Sequence, residues 1–405
     1  MKNTRLDAIS NRWVLPDGVD EYLPPQAEAL ERLRRELLDM FRGWGYELII
    51  PPLIEYLESL LVGAGHDLEL ETFKLIDQAT GRLLGVRADM TPQAARIDAH
   101  QLMRKTPVRL CYLDSVLHTR RNGFASSRNP LQLGAELYGH AGIESDIEML
   151  RLMVRCLRVA GLQSFHVDIG HVGIFRALAR EAGLEEGREG VLFDALQRKA
   201  KPEIEAFLAD GTITDRHRRM LTALVDLNGH ADMLDEARVV FQSAGRDVHQ
   251  ALDNLQQMAT AAQCQFASIN LHYDLAELRG YRYQSGVVFA AFASGFGQEI
   301  ARGGRYDEIG RLFGRARPAT GFSTDLKTLL ALAPAQPPER KAILSPPWSD
   351  DDELRKLIRK LRAEGERVVY TLPGQSLDLV EMGCDRVIER RDGRWTVVAA
   401  GAPPV

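Results

Sequence analysis

Two short segments concentrate residues that could hold a small charged molecule: Arg279-Gly280-Tyr281-Arg282-Tyr283 and Gly303-Gly304-Arg305-Tyr306-Asp307. Glycine permits close backbone approach, arginine can hold a carboxylate in a two-pronged hydrogen bond, and tyrosine offers a flat face with a polar tip. A surface turn with solvated charges would read the same way. A second set is Arg87-Ala88-Asp89-Met90-Thr91 with Gln132-Leu133-Gly134-Ala135-Glu136. In an extended strand Gln132, Gly134 and Glu136 point to one face, so an amide, a gap and a carboxylate would line one floor. A wet face of an antiparallel sheet is the plainer alternative.

Other chemistries find no anchor. The ten histidines show no H-E-x-x-H or other ligand spacing, and Cys111, Cys156, Cys264 and Cys384 form no C-x-x-C pair, so no metal site and a reduced, cytoplasmic setting are expected. The absence of G-x-S-x-G, Walker and Rossmann motifs leaves the common hydrolase, nucleotidase and dehydrogenase readings unsupported, and no cofactor is implied. With 51 basic against 56 acidic residues, the net charge of −5 provides no polycationic field for a nucleic-acid backbone. No apolar run of membrane-spanning length and no N-terminal apolar signal segment is visible.

The elements that must position these residues follow from periodicity. Apolar positions at three- and four-residue steps predict a helix over 26–43, closed by Gly45, then a short strand over 46–50. A hairpin is expected over 72–87, a helix from Thr91 to Arg104, and antiparallel strands over 108–118 and 129–139 joined by a polar loop. Residues 144–160 read as a helix, 165–171 as a strand and 172–262 as almost wholly helical, with breaks at 183, 211 and 228. Strands follow at 268–273, 286–292 and 299–301, then a closing helix at 323–333. The proline-rich stretch after Ala333 predicts a linker, beyond which the chain alternates strand 342–345, helix 352–364, strand 367–371, helix 376–383 and two short strands.

In this order the pieces resemble a class II aminoacyl-tRNA synthetase, specifically histidyl-tRNA synthetase, over roughly residues 15–332. GWGYELIIPPLIE is similar to its dimer-forming first motif, VRADMT to its RPEGT segment, and LDSVLHTRR with NPLQLGAELYG to its second motif. LRGYRY resembles the histidine-specific segment, and GGRYD with ATGFSTDLKTLL the third motif. The resemblance implies an α+β fold, an antiparallel sheet flanked by helices. It divides the chain into a core of 1–171 and 263–333, a helical insertion at 172–262 and a small C-terminal α/β domain at 339–405. It also implies a histidine pocket made by Asp89, Thr91, Gln132, Glu136, Arg279 and Tyr283. Asp89 is a shortened glutamate relative to that pattern, and Gln284 stands where the family has a second tyrosine.

The nucleotide side departs from the synthetase pattern. His118 and Arg120 occupy the place of the second motif's F-R-x-E arginine and glutamate, and Asp325-Leu326-Lys327-Thr328 that of the third motif's G-L-E-R. Removing one donor to developing charge typically costs about 10²- to 10³-fold, so losing both arginines weighs against adenylation. The end unit starts acidic (WSDDDE) and resembles a shortened remnant of an anticodon-binding domain, so no tRNA is expected. A synthetase body with an amino-acid pocket but no nucleotide grip resembles the regulatory-subunit family of ATP phosphoribosyltransferase. The resemblance implies a non-catalytic chain, self-association through the first-motif helix, and a hetero-octamer with a short-form catalytic subunit. It further implies that the partner needs this chain for activity and that histidine acts through it in feedback inhibition. A divergent histidyl-tRNA synthetase is the alternative.

Overall fold

Leu30, Leu33, Leu37 and Phe41 recur at helical spacing, and they are the buried stripe of helix α1, Gln26–Gly43. Burial of each such side chain is worth about 1.5–3 kcal/mol, which is what presses α1 against the sheet. The computed structural model describes residues 13–400 apart from 63–65, 122–126, 210, 266–268, 282, 335–340 and 376. The chain divides into two compact units, Met1–Pro334 and Ala335–Val405. Most of the expected linker, part of the loop after 118, Arg282 and Ser376 lie outside the described residues.

The strands of the larger unit are β1 (Glu47–Leu48), β2 (Ile54–Tyr56), β3 (Phe73–Ile76), β4 (Leu83–Val86), β5 (Val108–Ser115), β6 (Leu131–Tyr138), β7 (Phe165–His171), β8 (Asn228–Gly229), β9 (Asn270–Asp274), β10 (Val287–Ala293), β11 (Glu299–Arg305) and β12 (Ala319–Asp325). Nine of them form one sheet in the order β1-β5-β6-β12-β11-β10-β7-β9-β8. Its central pairs, from β5 across to β7, are antiparallel, while β1–β5 and β7–β9 are parallel. The antiparallel sheet flanked by helices is the expected fold class.

Strand alternation gives the sheet two unlike faces. Cys111, Leu113, Leu133, Ala135, Leu137 and Phe322 point into a large apolar core shared with α1 and with helix Ile143–Val159. Tyr112, Gln132, Gly134 and Glu136 point the other way. The described residues of 172–265 fold as six helices and β8, and their apolar residues, Leu192, Ile204, Leu221 and Leu255 among them, join the same core. The hairpin expected over 72–87 is β3–β4, in a separate three-stranded sheet with β2 whose outer surface exposes Ile54, Ile76 and Leu83.

Four local expectations are corrected. Residues 319–325, read in part as the start of a helix, are the strand β12 in the middle of the sheet; the helix begins at Leu326, capped by the Asp325 carboxylate. Small and polar residues in TGFSTD conceal the strand, because its β-structure comes from pairing on both sides with β6 and β11. Strand β11 runs on through Gly303, Gly304 and Arg305, so that cluster is part of the sheet instead of a surface turn. The helix from Thr91 widens into a π-helix over Ile97–Leu102.

The fourth concerns the smaller unit. Its sheet has the order β14-β13-β15-β16, with β13 (Ala342–Ser345), β14 (Val368–Tyr370), β15 (Cys384–Arg391) and β16 (Arg394–Ala399). Helix Asp352–Ala363 links the parallel strands β13 and β14, as the strand-helix-strand pattern predicts. Residues 379–383 form a single turn and no helix: Asp378 caps it by accepting from the backbone N–H of Val380 and Glu381, and Gly383, at φ +63°, ends it at once. Among the described residues, no helix is long and apolar enough to cross a membrane.

Candidate functional site

Glu136 is the centre of the polar face, held there by its register in β6. It pairs with Leu110 of β5 on one side and with Gly321 of β12 on the other. The carboxylate is 1% exposed. Oε1 accepts from the Tyr112 hydroxyl at 2.9 Å, and Oε2 accepts a short hydrogen bond from Tyr306. Burial pushes the carboxyl up to about 8, and the two hydroxyls oppose that shift only in part. The Tyr138 hydroxyl lies 3.3 Å from that of Tyr306, and the Tyr283 ring stacks on Tyr306 with centroids 5.0 Å apart.

The RPEGT-like segment closes onto the same face. Asp89 Oδ1 accepts from the Gln132 amide at 2.7 Å and from the Thr91 N–H at 3.0 Å, while Gln132 Oε1 accepts from the Met90 N–H at 2.8 Å. Thr91 Oγ1 lies 3.0 Å from the Tyr112 hydroxyl. A continuous hydrogen-bonded chain therefore runs from Gln132 through Asp89, Thr91 and Tyr112 to Glu136. Glycine makes the room: a β-carbon on Gly134 would sit 2.4 Å from the Tyr112 ring.

Five of the six expected pocket residues, Asp89, Thr91, Gln132, Glu136 and Tyr283, are thus brought together. Arg279 is held apart from them, its guanidinium over the Phe292 ring at 4.9 Å and within 3.5 Å of Glu277 and Glu299 carboxylates. Its side chain is 42% exposed, and Nη1, although ion-paired, makes no hydrogen bond among the described residues. Arg305, the other arginine singled out by sequence, is buried and committed to structure: Nε and Nη2 both meet Asp146 Oδ2, at 2.9 and 2.8 Å, and Nη2 also meets Ser145. Tyr112 was not anticipated, and Tyr306, although part of the Gly303–Asp307 cluster, was not among the six residues expected in the pocket. The signal for Tyr112 is its register opposite Gly134, and that for Tyr306 is its place two residues after Gly304 on the same face.

At the nucleotide-side positions, side chains serve their own neighbourhoods. His118 Nε2 meets the Ala88 carbonyl at 2.9 Å, and Arg120 is exposed. Asp325 accepts from the Leu131, Lys327 and Thr328 backbone N–H groups and from the Thr328 hydroxyl. Lys327 is buried with its ammonium 5.3 Å from the Tyr22 ring centroid, and burial lowers its pKa. Among the described residues no group of three or more His, Cys, Asp or Glu is placed to hold a metal ion.

The comparison with known proteins matches this layout. Residues 18–329 fit the family "Histidyl-tRNA synthetase", and residues 340–398 fit "ATP phosphoribosyltransferase subunit HisZ C-terminal domain". The chain is 57% identical over 385 residues to the ATP phosphoribosyltransferase regulatory subunit of Alkalilimnicola ehrlichii, covering 95% of this chain and 96% of that one. This chain belongs to the ATP phosphoribosyltransferase regulatory subunit family. A second member, from Thioalkalivibrio sulfidiphilus, is 56% identical, with 96% and 98% covered. A solved structure described as an ATP phosphoribosyltransferase regulatory subunit/histidyl-tRNA synthetase from Bacillus halodurans superposes with a TM-score of 0.82 at 29% identity, covering 93% of this chain and 97% of that one. The histidyl-tRNA synthetase of Nostoc sp. PCC 7120 shares the fold, with a TM-score of 0.78 at 18% identity and 96% and 97% covered.

Proposed function

We propose that this chain is the regulatory subunit of ATP phosphoribosyltransferase, required by a short-form catalytic subunit in the first step of histidine biosynthesis. The observation that carries the reading is the near-full-length identity of 57% to a regulatory subunit, with the distinctive C-terminal domain included. In this reading the chain is not itself a catalyst, because Asp325, Lys327 and Thr328 stand where a phosphate-gripping arginine would be needed. It reads no tRNA, needs no cofactor, and assembles with the catalytic subunit as a hetero-octamer. Self-association uses α1 and the apolar residues that follow it, of which Leu48, Ile50, Leu53 and Ile54 are exposed beside the edge strand β1.

Free histidine is the ligand of the pocket. Asp89 and Glu136 offer carboxylates for its ammonium and ring N–H, and Arg279 swings from its acidic neighbours to meet its carboxylate. Regulation then needs only that histidine prefer the inhibited assembly, and the coupling, typically about 1–3 kcal/mol, is reciprocal. The test is co-purification with a short catalytic subunit followed by phosphoribosyl-transfer assays with and without histidine. Stimulation by this chain and inhibition by histidine are expected. Histidine-dependent ATP–pyrophosphate exchange by the purified chain alone would overturn the reading.

A further inference from the structure

One row of paired residues crosses the polar face of the sheet: Gly170 on β7, Val288 on β10, Gly304 on β11, Gly321 on β12 and Glu136 on β6. Its glycines leave space that other groups take. Near one end the Glu136 carboxylate fills the side-chain place of Gly321. At the other end the Glu277 carbonyl and Cβ press onto Gly170, 2.6 and 2.9 Å from where a β-carbon would stand. With strands about 4.8 Å apart, Gly170 and Gly321 are separated by about 14 Å. A second buried carboxylate, Glu277, is thus fixed on the face that carries the pocket, but outside it.

Glu277 Oε1 accepts from the Arg279 backbone N–H at 3.0 Å, and Oε2 lies 3.4 Å from Arg279 Nη2. On its other side Arg279 Nη1 lies 3.5 Å from Glu299 Oε2. Charge-assisted hydrogen bonds close to about 2.7–2.9 Å, so both contacts are long. The buried Nη1 makes no hydrogen bond among the described residues. Arg279 is held there by charge and is poorly satisfied.

The two acids differ in what they lose when Arg279 leaves. Glu299 is 30% exposed and keeps Arg302 Nη1 at 3.3 Å. Among the described residues, the other charged groups around Glu277 are Asp274, 2.7 Å from Lys199 Nζ, and Asp168, 3.5 Å from His272 Nδ1. Burial pushes the Glu277 carboxyl up, Asp274 and Asp168 push it further, and Arg279 opposes them through its charge and its N–H.

We infer, resting on the assignment of the pocket to free histidine, that Glu277 is a positioning residue: it holds Arg279 at rest, gives it up to the histidine carboxylate, and takes a proton in exchange. One ion pair breaks, one forms, and a proton from solvent converts the Glu277 carboxylate, left buried without its cation, into a carboxyl group. Histidine binding is thereby coupled to proton uptake outside the pocket. An acid of the chain itself competes with the ligand's carboxylate for Arg279.

The test is calorimetric titration of the full chain at about pH 7.5 in buffers of different ionisation enthalpy, which counts the protons taken up per histidine bound. Glu277→Gln keeps an oxygen to accept from the Arg279 N–H, and so preserves the turn, while removing the charge. The variant is expected to take up about half to one proton fewer than wild type and to bind histidine about two- to fivefold more tightly. Histidinol, which lacks the carboxylate, leaves Arg279 on Glu277, so its proton count and affinity are expected to match in the two proteins. Glu299→Gln is expected to leave the proton count for histidine at the wild-type value. Equal proton uptake in wild type and Glu277→Gln overturns the inference while the pocket stands, and weaker histidine binding by the variant does the same. A proton deficit of the same size with histidinol separates the proton from the carboxylate exchange and also overturns it. If the wild-type chain binds no histidine, the pocket assignment falls and the inference with it.

Discussion

Glu136 and Gly321 face each other across the β6–β12 pair, and the Glu136 Oε2 lies 1.6 Å from the place a β-carbon on residue 321 would take. The carboxylate therefore fills the side-chain space of its neighbour. Gly321→Ala is expected to push it off the Tyr112 and Tyr306 hydroxyls, destabilising the fold by about 1–3 kcal/mol and removing histidine binding. Titration of a folded Gly321→Ala protein at wild-type affinity would refute this dependence.

Glu136 also makes stability depend on pH. Its folded pKa of about 8 lies above the ordinary carboxyl value near 4.3, so the folded state binds more protons between those limits. The group's contribution is complete below the lower value and is lost as pH rises through the higher one. Melting temperatures of wild type and Glu136→Gln, measured from about pH 5 to pH 9, should show wild type losing ground steadily relative to the variant. Parallel curves would mean that Glu136 is ionised throughout.

Arg305 and Asp146 form a buried ion pair, with side chains 9% and 1% exposed. Asp146→Ala leaves the guanidinium with only neutral partners and Asp307, and removing one member of a buried pair costs about 3–5 kcal/mol. Denaturant unfolding of the variant is expected to show that loss; a change below about 1 kcal/mol would show that the remaining contacts suffice.

In the smaller unit, Asp351 caps helix Asp352–Ala363 by accepting from the Glu353 and Leu354 N–H groups, and it also accepts from Trp395 Nε1 at 2.9 Å. Asp351→Ala should weaken that helix by about 1 kcal/mol. Hydrogen exchange in the full chain should report faster exchange in residues 352–363 with strands β5 and β6 unchanged; uniform loss of protection would mean the cap supports more than its own helix.

Much of the architecture was legible in advance. The 3.6-residue stripe of α1, the two runs that became β5 and β6, and the strand-helix-strand order after residue 341 are local patterns, written in side chains that alternate or recur. Strand β12 escaped because Gly321, Ser323 and the following Asp325-Leu326-Lys327 dilute the strand-favouring Thr320, Phe322 and Thr324, and the end of β11 because GGR lacks the branched and aromatic residues that mark strands. Their neighbours, and not their composition, hold them in the sheet. At 379–383 the start and stop signals of a helix stand too close together, Asp378 capping the turn and Gly383 at φ +63° closing it within one turn.

The sequence by itself determined which residue types meet on one strand, Gln132, Gly134 and Glu136, because a strand's two-residue period is a property of the chain alone. It also determined membership of the family, through motif order. Only the tertiary structure decided that Tyr112, Tyr306 and Gly321 surround Glu136, that Arg305 is spent on Asp146, and that Arg279 rests on Glu277 and Glu299. Those relationships depend on the register between strands far apart in sequence, and register is settled by the packing of the whole sheet.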